Sequence, residues 1–268
     1  MINVVKATGD KEPFSEEKLR NSIKRAGIPN VLQEEVVTHV KSNLYDEIKT
    51  RDVYNHITEY LKKEPKHKAK YGLKQAIMSL GPTGYPFEDF VSEILKAKGY
   101  ETQVRSILSG TCITHEIDVI AEKKGTEKIM VEAKFHNALG LRTDVHVSLY
   151  TKARFEDLRQ KHGFDKALLV TNTKITPDAL TYALCVNLDV ISWSYPDNES
   201  LRDLIERHNL YPVTMLSSLS TLEIQTFLNT HIVLIKDIYK NNDNLDILGV
   251  EGKRKEIILE EVKRLTNN

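Results

Sequence analysis

Residues 113–136 read ITHEIDVIAEKKGTEKIMVEAKFH, which is two alternating segments joined by a charged turn that contains Gly125. Apolar and polar residues that alternate with a period of about two are typical of β-strands, so the stretch predicts a β-hairpin. With the turn centred near Gly125, Asp118 lies opposite Glu132, and Lys134 joins them because side chains two residues apart share a face. The sequence therefore predicts that three charged groups converge on one face of a small sheet.

This convergence needs a physical cause, because facing carboxylates repel each other and Asp is depleted in strands. A divalent cation supplies one, since Mg²⁺ binds hard oxygen ligands, commonly one or two carboxylates together with water and phosphate oxygens. Lys134 beside such an ion could orient a water, or help to deprotonate it, for attack on a phosphate. The alternative is that these charges lie on an ordinary solvated face of the sheet.

Asp118 followed by Glu132-Ala133-Lys134 resembles the signature of the PD-(D/E)xK nucleases, particularly their Mrr-type restriction endonuclease branch. The resemblance implies hydrolysis of DNA phosphodiester bonds with Mg²⁺ or Mn²⁺. Asp118, Glu132 and the Ala133 carbonyl would bind the ion, and Lys134 would orient the attacking water. Glu88 matches an acidic residue near the start of the nuclease domain and could be a further metal or water ligand. Compensation of the helix dipole is the alternative explanation of Glu88.

Residues 3–82 carry the pattern V-x-K-x-x-G-x-x-E-x-F-S-x-x-K-L, followed by helical segments, and resemble an ATP-cone nucleotide-binding domain. By this resemblance Lys6 and Lys18 contact the triphosphate of ATP or dATP, Glu12 and Ser15 lie beside the nucleotide, and Thr50 closes the site. Lysines and helix N-terminal amides are groups that hold phosphate, and Ser15 has the features of an N-cap. Alternatively, the lysines are surface residues of a helical DNA-binding or dimerisation domain.

The turn-forming run from Gly81 to Pro86 predicts a domain boundary. We expect an α/β protein with a mostly helical ATP-cone at 1–82 and a mixed-sheet restriction endonuclease-like core at 83–211. The core is predicted in the order α-β-β-β-α-β-α-β. Residues 212–268 are predicted to form a small all-α tail. Its glycine-flanked segment 249–253 loosely resembles a helix-hairpin-helix turn that grips DNA phosphate, and a partner-binding cap is the alternative.

A helix predicted over 148–162 brings together basic and aromatic side chains, namely Lys152, Arg154, Arg159 and Tyr150. Such a face suits contacts to the DNA backbone, and a solvated helix face explains it equally well. The chain has 38 basic and 38 acidic residues, so a nucleic-acid-binding surface must concentrate its charge locally. The basic face of this helix is one place where that could happen.

The composition is that of a globular protein, with 40% apolar residues and two cysteines among 268 residues. The sequence opens without a signal peptide and contains no long apolar run, so we expect a cytoplasmic protein with no membrane partner. We also expect a homo-oligomer whose partners are DNA and an adenine nucleotide. The function predicted from the residues is a DNA endonuclease in restriction, defence or DNA processing, regulated by ATP or dATP. The alternatives are a non-catalytic, nucleotide-responsive DNA-binding regulator and a nuclease for RNA or branched DNA.

Overall fold

The computed structural model describes residues 2–6, 8–138, 140–240 and 242–266. The chain divides into two compact units, Met1–Gln75 and Ala76–Asn268. Helices and mixed sheets alternate along the chain, which confirms the predicted α/β fold class with a helical C-terminal end. The predicted three-domain division at 82 and 211 stays a prediction.

The first unit combines a small sheet with helices. Its strands are β1 (Asn3–Val5), β2 (Lys11–Pro13) and β3 (Ile48–Lys49), in the order β2-β1-β3. β1 is antiparallel to β2 and parallel to β3. Its helices are α1 (Glu16–Arg25), α2 (Asn30–Ser42), α3 (Thr50–Tyr60) and most of α4 (Pro65–Met78), which continues past Gln75. The sequence predicts a short strand over 2–6, which β1 confirms. It does not predict β2 and β3, because each is too short to show alternation.

The start of α1 follows from local sequence. The Ser15 hydroxyl accepts a hydrogen bond from the Lys18 N–H at 3.2 Å, which satisfies one of the free amides at the helix start. Leu19 and Ile23 lie one turn apart and are buried in the core of this unit. The predicted N-cap at Ser15 is therefore confirmed. The sequence also predicts Thr50 as the N-cap of a later helix, and this was one residue off, because Lys49 is the N-cap of α3 and Thr50 is its first residue.

The second unit contains a mixed sheet in the order β10-β8-β6-β5-β4. The strands are β4 (Glu101–Ser109), β5 (Thr114–Lys123), β6 (Glu127–Lys134), β8 (Lys166–Thr171) and β10 (Leu188–Ile191), and two short strands, β7 (Arg142–Thr143) and β9 (Lys174–Ile175), pair separately. The helices around the sheet are α5 (Tyr85–Ala97), α6 (Val145–His162) and α7 (Pro177–Cys185). β4, β5 and β6 form an antiparallel meander, and β6, β8 and β10 run parallel.

The predicted hairpin is confirmed as β5 and β6. Val119 pairs with Val131, and Lys123 pairs with Glu127 around the turn. Gly125 has φ +72°, a left-handed backbone that glycine adopts without steric cost. Continued by one residue, this register sets Asp118 opposite Glu132, as the alternation in the sequence indicated. Ile117 and Met130 bury their side chains beside Phe155 and Leu158 of α6, so the hairpin and its crossover helix share one core.

The end of the chain is helical. It contains α8 (Leu201–Arg207), α9 (Thr221–Asn229), α10 (Ile235–Lys240) and α11 (Gly252–Thr266), with short 3₁₀ segments between them. α8 was not predicted, although Ser200 and Asp203 form a capping box at its start. Gly249 and Gly252 both have left-handed backbone angles, and the helix-hairpin-helix interpretation of this segment stays a prediction. Within the described residues, no helix has the length and apolar character needed to cross a bilayer.

Candidate active site

Asp118 lies on β5 at the centre of the meander. Its Oδ2 accepts a hydrogen bond from the Ala133 N–H of β6 at 2.7 Å, which fixes one carboxylate oxygen against the neighbouring strand. Burial raises the pKa of Asp118, and the Ala133 N–H and the charge of Arg154 partly oppose this shift. A buried carboxyl that resists ionisation is a group that a cation would stabilise.

Glu132 lies on β6, where only 14% of its side chain is exposed. Burial and then the negative charge of Asp118 raise the pKa of Glu132 to about 7, against the opposing charges of Arg154 and Lys134. The Arg154 Nη1 donates a hydrogen bond to Glu132 Oε2. The structure therefore brings Asp118, Glu132 and Lys134 close enough to influence one another electrostatically.

Glu88 joins this group from α5. It is 8% exposed, and burial followed by the charge of Asp118 raises its pKa to about 7. Arg105 Nη1 donates to Glu88 Oε2 at 3.2 Å and opposes that shift. Because Glu88 and Glu132 each respond to Asp118, the carboxylates converge on one small volume, and this pattern of mutually raised pKa values is typical of functional sites.

The site has a donor set that suits Mg²⁺ or Mn²⁺. The cluster supplies hard carboxylate oxygens, and the cost of their burial and mutual repulsion would be relieved by a divalent ion. Asp118 engages the Ala133 N–H, and Ala133 sits between β5 and β8 in the sheet. Among the described residues, no hydrogen bond or ion pair holds the Lys134 ammonium. Lys134 is therefore available to bind substrate or water, as proposed for the nuclease signature.

Two arginines of the site were not predicted. Arg154 was placed on an exposed basic face of α6, and this was wrong, because it is 6% exposed and pairs with Glu132. The signal existed, since Thr151, Arg154, Phe155 and Leu158 follow the helical spacing of a buried stripe. The remaining lysine and arginine of that face, Lys152 and Arg159, both pair with Glu156.

Arg105 is the second arginine that the sequence did not reveal. It has φ +51° in β4, and the register of β4 and β5 sets it level with Asp118, between the pairs Val104–Val119 and Ser106–Ile117. Its guanidinium contacts Glu88 and also Asp89 at 2.7 Å. Asp89 in turn accepts from the His231 ring at 2.9 Å, so a residue before α10 is linked to the acidic cluster.

The histidines near the start of β5 and just after β6 have structural partners. The His115 ring contacts Asp157 at 2.8 Å, and Asp157 also accepts from the Cys112 N–H at 2.7 Å. The His136 ring contacts the Thr143 hydroxyl at 3.0 Å. These contacts tie the loops at the ends of β4 and β6 to α6 and β7, and they account for both histidines without a role in chemistry.

The residues predicted to bind nucleotide also meet in the first unit. Glu12 bridges the ammonium groups of Lys6 at 2.7 Å and Lys18 at 3.0 Å, and these contacts lower the pKa of Glu12. Ser15 caps the helix that carries Lys18. The parallel pairing of Val5 with Lys49 sets Thr50 beside the strand end that carries Lys6.

Comparisons with known proteins place each part of the chain. Residues 2–71 match the ATP cone domain, residues 81–196 match a restriction endonuclease domain, and residues 211–266 match the AF1548-like C-terminal domain. These matches confirm the predicted ATP-cone and restriction endonuclease-like domain. They leave the individual site residues as proposals.

An uncharacterized protein of Archaeoglobus fulgidus is 34% identical over 176 residues, which is 65% of this chain and 99% of the relative. The crystal structure of the protein of unknown function AF1548 is 33% identical, with a TM-score of 0.60 over 69% of this chain and 100% of that chain. A repair endonuclease from Pyrococcus abyssi is 15% identical, with a TM-score of 0.30 over 37% of this chain and 42% of its own. The chain therefore belongs to the AF1548-like family and joins an ATP cone to a restriction endonuclease domain.

Proposed function

We propose that the protein is a metal-dependent endonuclease that hydrolyses DNA phosphodiester bonds. The observation that carries the proposal is the buried cluster of Glu88, Asp118 and Glu132, in which each glutamate has its pKa raised partly by Asp118. Buried carboxylates that repel one another are costly to the fold unless a cation or a proton compensates them. The cluster lies within the restriction endonuclease domain.

Each residue has a distinct role in this proposal. Asp118, Glu132 and the Ala133 carbonyl would hold Mg²⁺ or Mn²⁺. Such an ion supplies Lewis-acid chemistry for hydrolysis of the phosphodiester. Lys134 positions the attacking water and offsets negative charge at the phosphate. Glu88 has a pKa of about 7, so it can hold or release a proton near neutral pH as a further water or metal ligand.

Arg154, which is not part of the nuclease signature, also acts on the Glu132 carboxylate. Its contact with Glu132 Oε2 offsets the carboxylate charge. Arg154 would therefore hold Glu132 in place, and its positive charge would oppose a cation at the same carboxylate.

We further propose that ATP or dATP binds at Lys6 and Lys18 and regulates cleavage. The Glu12 carboxylate pairs with both lysine ammonium groups, so a bound triphosphate would have to displace it. The triphosphate carries more negative charge than the carboxylate and would therefore pair more strongly with the lysines. Regulation means that bound nucleotide changes the rate of cleavage or the affinity for DNA, because coupling is the effect of one ligand on another. Self-association, cytoplasmic location and a restriction or defence role stay predictions.

Cleavage of supercoiled plasmid tests the catalytic assignment. Wild type should nick or linearise DNA with Mg²⁺ or Mn²⁺ and lose this activity with a chelator, and Asp118→Ala and Lys134→Ala should be inactive. Lys124→Ala is the matched control, because this exposed lysine lies in the turn of the same hairpin. Cleavage by both site variants at the wild-type rate would refute the assignment. Absence of plasmid cleavage, with cleavage of RNA or branched DNA that requires Asp118, would change the substrate class.

Nucleotide binding is tested separately by calorimetric titration of ATP and dATP. Lys6→Met and Lys18→Met should each weaken binding at least tenfold, because each removes a charge-assisted contact to phosphate. Lys24→Met is the control, since Lys24 is exposed on the same helix. Cleavage assays with and without ATP then measure regulation. Equal binding by all variants would place the nucleotide elsewhere or remove it from the proposal.

A further inference from the structure

Two histidines and a glutamate converge between α2 and α3 of the first unit. His39 lies in the last turn of α2, and His56 and Glu59 lie three residues apart on α3, so the latter two share a helix face. One ligand atom from each of the three residues lies within 4.8 Å of the other two. This group is separate from the residues predicted to bind nucleotide and from the carboxylates of the restriction endonuclease domain.

One of these side chains lacks the partner that a buried polar atom normally has. His39 Nε2 is buried and has no hydrogen-bond partner, although a buried polar atom left unpaired costs about 1–3 kcal/mol. In the part of the chain that the structure describes, no hydrogen bond or ion pair engages the side chain of His56 or Glu59. The usual explanation of such a cluster, a network of internal hydrogen bonds, is therefore missing here.

The surroundings hold the His39 ring in place. The Tyr60 ring packs against it with centroids 5.1 Å apart, and the Tyr60 hydroxyl donates to Glu35 at 2.7 Å. The His56 ring meets the His39 ring edge-on at 6.3 Å between centroids. This packing restricts rotation of the His39 ring, so its nitrogen atoms keep a fixed direction.

We propose that His39, His56 and Glu59 form a binding site for a divalent transition metal, with Zn²⁺ as the best-matched ion. Two imidazoles and one carboxylate are a known zinc ligand set that leaves a fourth position for water. Imidazole favours zinc, copper and nickel over Mg²⁺. Bonds of about 2.0–2.2 Å in a tetrahedral site separate ligand atoms by about 3.3–3.6 Å. The ligand atoms here lie within 4.8 Å of one another, so small side-chain rotations would bring them to these distances.

The metal would join α2 to α3. It would bind the last turn of α2 and the C-terminal half of α3, and would give His39 Nε2 its missing partner. Because the unfolded chain does not present this arrangement, binding would stabilise the first unit. The three residues lie in the ATP cone, and metal binding there would not depend on DNA cleavage by the second unit.

Metal titration of the full-length protein tests the site. After removal of metal with a chelator, Zn²⁺ binding is measured by calorimetry, and Co²⁺ is used as a spectroscopic probe because tetrahedral coordination gives it strong visible absorption. His56→Asn and Glu59→Gln should each weaken Zn²⁺ binding at least tenfold and reduce the Co²⁺ absorption. Glu59 is exposed, so Glu59→Gln tests the site with little risk to folding.

The controls separate this site from other metal-binding groups. His146→Asn changes an exposed histidine of the second unit and should bind Zn²⁺ like wild type. Asp118→Ala removes a carboxylate of the nuclease cluster and should leave the Co²⁺ absorption unchanged. Equal Zn²⁺ affinity in wild type, His56→Asn and Glu59→Gln would overturn the proposal, as would the absence of Zn²⁺ binding at micromolar concentration.

Discussion

Replacing Arg154 by methionine removes a buried guanidinium and keeps a flexible apolar side chain of similar reach. Arg154 donates to Glu132, and its charge lowers the pKa values of both Glu132 and Asp118. Without it, burial and the charge of Asp118 still raise the pKa of Glu132, and only Lys134 opposes them among the leading contributions. The pKa of Glu132 should therefore rise further above 7 in the variant.

The sign of the pH dependence follows from linkage. A carboxyl whose pKa is higher in the folded state than in the unfolded state favours folding below its unfolded pKa, and this stability is lost as pH rises through the folded pKa. The Arg154→Met variant extends that loss to higher pH, at about 1.4 kcal/mol for each unit of added shift. Glu132 faces Asp118, Lys134 and Glu88 as well as Arg154, and the comparison with wild type cancels groups that titrate alike in both proteins.

The magnitude comes from the burial of the pair. Breaking a buried ion pair costs about 3–5 kcal/mol when the remaining partner stays ionised, so Arg154→Met should lose that much stability at about pH 9. At about pH 5.5, Glu132 is protonated in both proteins, and only about 1–2 kcal/mol from lost packing should remain. Arg159→Met is the control, because Arg159 is exposed and makes a surface ion pair at 3.3 Å that contributes about 0–1 kcal/mol at either pH.

Urea unfolding provides the assay. Trp193 is the only tryptophan of the sequence and lies in the same unit as Arg154, so its fluorescence reports on the relevant part of the protein. Adding Glu132→Gln to Arg154→Met should recover most of the loss at high pH, because the neutral amide has no charge to leave unpaired. An equal loss at both pH values, or no recovery in the double variant, would refute the electrostatic reasoning.

Two further predictions use neighbouring features. Gly110→Ala should lower the free energy of unfolding by about 2–4 kcal/mol, because the added Cβ would collide with the Asp157 carboxylate. Gly125→Ala should lower it by only about 1–2 kcal/mol of backbone strain, because Gly125 has φ +72° and open space around it. Equal melting temperatures of the two variants would contradict this. Mg²⁺ affinity should fall as pH drops through 7, because protons compete with the ion for Glu132 and Glu88, whose pKa values are raised to about 7. Calorimetry that finds the same Mg²⁺ affinity at about pH 6 and about pH 8 would contradict the assignment of these ligands.

The hairpin was predictable because its determinants are local. Period-two alternation and a glycine turn specify two paired strands, and the turn position then fixes which residues face each other. Asp118 and Glu132 could therefore be matched from the sequence. The prediction of an N-cap at Ser15 rested on the same kind of local rule, and the one-residue error at Thr50 reflects a helix start without a side-chain cap.

The acidic cluster needed more than local rules. Glu88 was proposed from a motif, but its burial beside Asp118 depends on how α5 packs on the sheet. Arg154 was misplaced because a buried charged residue looks like a surface residue until its partner is known. Arg105 has a left-handed backbone conformation within a strand, and no pattern in the sequence predicts that conformation.

The sequence by itself determined the order of the domains, the β5–β6 hairpin and the pairing of Asp118 with Glu132, since each depends on residues close along the chain. Only the tertiary structure decided which distant side chains meet in each cluster. Glu88, Arg105 and Arg154 gather around Asp118 and Glu132, and His39 lies near His56 and Glu59. The physical reason is that burial and electrostatic coupling depend on the packing of separate elements, whereas strand alternation and helix capping depend on near neighbours in sequence.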